Sequence, residues 1–224
     1  MKSKLGQIAL AIVLACALSA PAAAITWDFS TNSPPANLGP SSTFTVSMES
    51  ITAYGFKNGL NSLSPSATDL YYKASGPGET GLGLADDPQH EIRPGEFISL
   101  LMPLPFSQTY TITLGSLQHP RGSKAENATI YECTGNGTGC ISKVTVTGSG
   151  PSVEKSVTLT LDPTYKYFDI KDNDAAGTEN VLLESVSAVP LPAAAWLLLS
   201  GLGGLVIFGR RKRPSIDAGV HRLG

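Results

Sequence analysis

The amino-acid sequence predicts an all-β protein, an antiparallel two-sheet sandwich or jelly roll, with an N-terminal signal peptide and one C-terminal transmembrane helix. Three observations lead there. Apolar and hydroxyl residues alternate with period two through much of the middle of the chain. Clusters of Gly, Pro, Asn and Asp punctuate these runs. Between them lies no long stretch with helical spacing that could serve as a crossover helix. Strands joined without crossover helices pair antiparallel, and about ten of them in one domain suit two packed sheets.

The alternation is clearest in three places. Phe44, Val46 and Met48 alternate with Thr45 and Ser47. Tyr110, Ile112 and Leu114 alternate with Thr111 and Thr113. Val157, Leu159 and Leu161 alternate with Thr158 and Thr160. Successive side chains of a strand point to opposite faces, so each run offers an apolar face and a hydroxyl face. Strands are expected at 25–30, 42–56 in two pieces, 69–74, 95–102, 109–115, 127–133, 141–147, 153–161, 165–171 and 180–188. Turn signals at Ser64-Pro65, Gly76-Pro77-Gly78, Asp86-Asp87-Pro88, Gly148-Ser149-Gly150-Pro151 and Asp162-Pro163 separate them. Asn32 to Ser42, with its Pro34-Pro35 pair, reads as loop, and Gly76 to Gly83 reads as turn and strand. No internal repeat is visible.

The two ends carry addresses. Lys2 and Lys4 precede an uncharged, mostly apolar stretch from Leu5 to Leu18, followed by Pro21-Ala22-Ala23-Ala24. Small residues before a cleavage point mark a signal peptide spanning 1–24. A lipoprotein signal using Cys16 fits less well, because bulky Leu14 stands where a small residue is usual. At the far end, Ala193 to Gly209 is a 17-residue uncharged stretch, followed at once by Arg210, Arg211, Lys212 and Arg213. As a helix it would reach about 26 Å, close to the thickness of a bilayer core. The four cations would stop transfer and stay cytoplasmic, leaving the body outside. The leader implies the same orientation independently.

Charge agrees with that division. The chain carries a net −2, but between Ile25 and Val189 stand 17 acidic and 9 basic residues, a net −8. An acidic body repels phosphate backbones and argues against nucleic acid, while cations and neutral glycans remain suitable partners. Once the leader is removed, Cys133 and Cys140 are the remaining cysteines, separated by the flexible Thr134-Gly135-Asn136-Gly137-Thr138-Gly139. In an oxidising compartment this pair is expected to form a disulfide across a hairpin. Two sulfurs alone do not complete a zinc shell.

Val189-Pro190-Leu191-Pro192, then Ala193-Ala194-Ala195-Trp196 and a Gly-rich apolar span, then Arg210-Arg211-Lys212-Arg213, resembles the PEP-CTERM sorting signal of the VPLPA type. The resemblance covers residues 189–213. It implies a substrate of an exosortase, a membrane transpeptidase-like enzyme, in a bacterium that makes extracellular polysaccharide. Val189, Pro190, Leu191 and Pro192 would be the recognition box. Pro214 to Gly224 extends past the point where such signals usually stop and reads as a short cytoplasmic tail. The domain plan is therefore leader 1–24, secreted β domain 25–188, sorting signal 189–213 and tail 214–224.

Within the secreted part the chemistry is sparse. Asp172, Asp174 and Glu179 offer hard oxygen ligands that would suit calcium, although their spacing is not that of an EF-hand; the simpler reading is a solvated turn. Asp86-Asp87-Pro88-Gln89-His90-Glu91 gathers carboxylates and an imidazole, suited to metal binding or acid–base work, but the simpler reading is a polar loop between strands. No GxSxG elbow and no HExxH helix occurs. Tyr71, Tyr72, Tyr165, Tyr167 and Trp27 could stack on sugar rings. Tyr71 and Tyr72 should point to opposite faces of one strand. The sequence therefore points to a non-enzymatic surface or matrix module without a cofactor; its association with extracellular polysaccharide is what the PEP-CTERM resemblance implies. Alternatives are a carbohydrate-active hydrolase on the same scaffold and a plain structural domain.

Overall fold

Alternation of apolar and polar side chains resolves into fourteen strands in a computed structural model, which describes residues 24–31, 34–58, 65–74, 79–86, 88–103, 109–118, 125–150, 153–173 and 181–189. They are β1 (Ile25–Asp28), β2 (Ala36–Gly39), β3 (Ser41–Val46), β4 (Glu49–Lys57), β5 (Ser66–Thr68), β6 (Leu70–Ala74), β7 (Thr80–Leu84), β8 (Glu96–Leu101), β9 (Thr109–Leu117), β10 (Asn127–Gly135), β11 (Thr138–Thr147), β12 (Val153–Thr160), β13 (Tyr167–Asp172) and β14 (Leu182–Val189). No helix occurs among the described residues. These strands belong to one compact unit, Ala24–Pro190.

The strands form two antiparallel sheets. The first runs β12-β9-β14-β7-β6-β2, with β1 also paired to β14. The second runs β11-β10-β13-β8-β4-β3, with β5 on β4. Between them lies a core fed by alternate residues of both: Tyr110, Ile112 and Leu114 from β9, Leu82 and Leu84 from β7, Ile51 and Ala53 from β4, Ile98 and Leu100 from β8, Phe168 and Ile170 from β13. Tyr110 meets Phe168 edge-on across the sheets, with ring centroids 5.8 Å apart. Each fully buried side chain of this size contributes about 1.5–3 kcal/mol through removal from water. The fold is thus an all-β sandwich.

Three local expectations change. Asn32 to Ser42 is not all loop: Ala36–Gly39 forms β2, which pairs with β6 because Asn37 stands opposite Tyr71 and the strand can end at Gly39 in a left-handed conformation. Ser66–Thr68 forms a three-residue β5, too short for alternation to reveal it. Met48 does not continue the apolar face of Phe44 and Val46. It sits with Ser47 in the β3–β4 turn, both at positive φ, and is 97% exposed.

The hairpin of β10 and β11 places Cys133 opposite Cys140, and a disulfide joins them, with Cα atoms 4.1 Å apart. The signal peptide, Pro190 to Pro192, the apolar span, the Arg210–Arg213 block, Asp174 and Glu179 lie outside the described residues. Among the described residues no helix is long and apolar enough to cross a membrane.

Candidate functional site

The outer face of the first sheet is where polar chemistry collects. Since Tyr110, Ile112 and Leu114 point inward, Thr109, Thr111 and Thr113 point outward, and the neighbouring strands are in register with them. One row reads Thr158, Thr111, Ser187, Thr26 across β12, β9, β14 and β1; the next reads Ser156, Thr113, Ser185, Asp28. Hydroxyls bond along these rows: Thr111 with Thr158 at 3.0 Å, Thr113 with Ser156 at 2.9 Å and Thr26 with Ser187 at 2.8 Å. Thr109 and Thr160 add a further pair at 3.0 Å. Strand spacing of about 4.8 Å and a same-face repeat of about 6.8 Å make this a regular grid of hydroxyls.

Further along the same face the strands carry acids. A bulge in β14 between Leu183 and Ser185 turns Glu184 outward over Gly115 of β9, where any side chain would collide with its carboxyl group. Glu184 is only 5% exposed. Burial, followed by the charges of Glu154, Asp28 and Glu79, pushes its pKa up to about 7. Glu79 connects this belt to Lys73 of β6, whose Nζ lies 3.0 Å from Glu79 Oε2 and also donates to Glu91 Oε1. Ser116 Oγ donates to Glu91 Oε1 at 3.0 Å, and Gln118 Nε2 to Glu79 Oε1 at 3.2 Å. Burial disfavours the Lys73 ammonium, but its bonds to Glu91 and Glu79 outweigh this and hold its pKa above the usual lysine value. Burial raises the Glu91 pKa against the opposing pull of Lys73.

Two glycines make this arrangement possible. Leu82 and Leu84 face the core, so Gly81 and Gly83 face outward. The loop after β7 lies down on Gly83, where a Cβ would overlap the His90 carbonyl oxygen and sit 2.9 Å from Glu91 Cα, while a Cβ at Gly81 would meet the Leu183 carbonyl oxygen of β14 at 2.7 Å. An isolated bridge between Ile92 and Val181, with N–H···O bonds of 2.8 and 3.1 Å, ties the end of the loop down. His90, at φ 57°, then stacks on Tyr71 with centroids 3.6 Å apart. Tyr71 and His90, with Pro35, Lys73, Pro88 and Gln89, line an open pocket of about 220 Å³. Its size suits a single ring of a larger molecule rather than a whole drug-sized ligand, which takes about 300–1,000 Å³.

The sequence-based expectations meet this geometry unevenly. Tyr71 and Tyr72 do point to opposite faces: Tyr72 is buried and Tyr71 lines the pocket. Of the acidic loop, His90 and Glu91 join the site, while Asp86 pairs instead with Lys57. Trp27 is buried in the core and offers no stacking face. Asp172, expected on a solvated turn or as a calcium ligand, is buried at the end of β13. Lys73, Glu79, Ser116, Gln118 and Glu184 carry no signal in the sequence; only pairing across strands brings them together. Among the described residues, one group places three metal-ligand atoms within 4.8 Å of one another: Cys133, Cys140 and Asp169, whose two sulfurs are joined in the disulfide. Asp169 accepts from Ser99 Oγ at 2.6 Å and from the Gly137 N–H at 2.8 Å, which seats the hairpin tip on the outer face of the second sheet; burial raises its pKa to about 7 against these bonds.

No family model matches the sequence, and no curated protein matches it. Among solved structures, the K1 cleaved adhesin domain of Lys-gingipain from Porphyromonas gingivalis W83 is similar over 75% of this chain and 99% of that chain, at 11% identity and a TM-score of 0.38. A likeness of that size does not bear on what this chain binds.

Proposed function

We propose that this chain is an exported, non-enzymatic surface module that binds extracellular polysaccharide on the outer face of its first sheet. It is handled on the way by an exosortase-type enzyme that reads Val189 to Pro192. One observation supports the binding reading above others: a grid of outward hydroxyls shares one sheet face with a pocket walled by Tyr71 and His90. A sugar chain presents hydroxyls at regular intervals and apolar C–H faces between them. The grid can exchange hydrogen bonds with the first, and the aromatic wall can cover the second. A pocket open to solvent lets the polymer continue past it.

The carboxylates favour binding over hydrolysis. Glycoside hydrolysis needs one carboxylic acid and one carboxylate facing a shared space that the substrate enters. Here Glu79 and Glu91 both turn to the ammonium of Lys73, and Ser116 and Gln118 hold them further. They are arranged as a structural ion cluster under the loop.

The deciding experiment is a glycan array probed with the full-length protein in detergent, wild type and Tyr71→Ala, with released sugar measured in parallel. Retention of polysaccharide that falls about tenfold in Tyr71→Ala, without turnover, is the expected result. Turnover abolished by Glu91→Gln would replace this reading with the hydrolase. Absence of retention on every glycan would leave a structural domain.

A further inference from the structure

We propose that the Cys133–Cys140 disulfide is redox-active: it exchanges with external dithiols, and Asp169 is the proton donor to the sulfur that leaves. The proposal stands apart from the polysaccharide reading. Strand pairing builds the arrangement. Cys133 of β10 stands opposite Tyr167 of β13, and Asp169 lies two residues further along the same outward face, opposite Tyr131. From there Asp169 Oδ2 comes within 3.2 Å of Cys133 Sγ and 3.7 Å of Cys140 Sγ. Oδ1 accepts from Ser99 Oγ and Oδ2 from the Gly137 N–H, so the remaining position on Oδ2 faces the sulfurs. Seating the hairpin tip needs only the Gly137 bond; the approach to both sulfurs is additional.

The two sulfurs differ. Cys133 is fully buried. Cys140 is part-exposed and stands on β11, an edge strand of its sheet. An incoming thiolate therefore reaches Cys140, and Cys133 is the leaving group. A thiolate set free at a fully buried position is costly unless it is protonated as it departs. Asp169 is itself fully buried, and burial outweighs its bonds from Ser99 and Gly137 and raises its pKa to about 7, so it still carries a proton near neutrality. The titratable groups sharing its face are Tyr54 of β4, Tyr131 of β10, and Tyr167 and Lys171 of β13. Lys143 of β11 pairs with Glu132 instead.

The step balances. One thiol of the dithiol loses its proton to water, attacks Cys140 Sγ and forms a mixed disulfide. The electron pair of the broken S–S bond goes to Cys133, which takes the proton of Asp169. The second thiol loses its proton to water and attacks its partner sulfur in the mixed bond. Cys140 leaves and takes a proton from water, and water reprotonates Asp169. The dithiol ends oxidised to a disulfide, and the cysteine pair ends as two thiols.

The test uses the full-length protein in detergent with dithiothreitol as reductant, the freed thiols being alkylated and counted by mass. The wild-type rate per dithiothreitol thiolate should fall as pH rises through about 7, where Asp169 gives up its proton. In mildly acid buffer Asp169→Asn should be slower by about tenfold or more, and its rate per thiolate should not change with pH. A carboxyl that only anchors the hairpin tip predicts the reverse, because a loosened tip bares the sulfurs and speeds reduction. Melting temperature checks that the variant is folded. Oxidised glutathione tests the direction of attack without touching Asp169: Cys133→Ser should capture it on Cys140, and Cys140→Ser should leave Cys133 unmodified. Three results would each overturn the proposal: a wild-type rate per thiolate that is flat across pH, equal or faster reduction of folded Asp169→Asn, or capture at Cys133 equal to that at Cys140.

Discussion

Replacing Gly83 by alanine should detach the loop that builds the pocket. Gly83 lies in β7 on the outward side, and the added methyl would occupy the space of the His90 carbonyl oxygen. That oxygen belongs to the backbone, so the loop must move as a body. Displacement would break the Ile92–Val181 bridge, with its two hydrogen bonds of 2.8 and 3.1 Å, worth about 1 kcal/mol each. It would also loosen the grip of Lys73 and Ser116 on Glu91, adding about 1 kcal/mol. A total near 3 kcal/mol corresponds to a fall of about 6–12 °C in melting temperature for a domain of this size. Gly39 provides the comparison. Its φ is +76° but nothing lies within 4 Å of an added Cβ, so Gly39→Ala should show only the left-handed penalty of about 1 kcal/mol. Thermal and denaturant melts measure both variants, and the ring-current shift of the His90 protons reports the Tyr71 stack. If Gly83→Ala melts within 1 kcal/mol of wild type with the His90 shift retained, the packing of this loop on the sheet has been misread.

Further outcomes are expected. Glu184 has an ordinary carboxyl pKa in the unfolded chain and one near 7 when folded, so the folded form keeps its proton longer. Stability should therefore fall as pH rises from about 4.5 to about 7, then level off. Asp169 acts in the same sense, and Glu184→Gln should flatten its own share of that slope in melts taken across pH. Opening the Cys133–Cys140 link, by reduction or by Cys133→Ser with Cys140→Ser, should cost about 2–3 kcal/mol, the chain-entropy value for so short a loop; a loss below about 0.5 kcal/mol would show that the hairpin register alone holds the tip. Ile112→Ala should cost about 2–5 kcal/mol in denaturant melts, because the side chain is fully buried between the sheets. Cell fractionation should recover a membrane-associated or released chain beginning near Ile25. A full-length cytosolic form with its leader intact would contradict the export reading.

Much of the fold is legible in the amino-acid sequence. The alternation in β3, β9 and β12 told which residues face inward, since a strand has no other way to hide its apolar side chains. Thr111, Thr113 and Thr158 do stand on the outer face. Cys133 and Cys140 announced their hairpin through the glycine-rich turn between them. β2 and β5 escaped because three or four residues are too few for a period to register. Met48 misled because alternation cannot tell when a chain stops being a strand and turns.

The site divides along the same line. Tyr71 and the His90–Glu91 loop were visible as residues of interest because their types are informative in isolation. That His90 lies on Tyr71, that Lys73 joins two acids distant in the chain, and that Thr158, Thr111, Ser187 and Thr26 form one row all depend on strand pairing. Local pattern determines which face of a strand a side chain takes. Which strand stands beside it is set by the packing of two sheets over a shared core, and sequence spacing holds no record of that register.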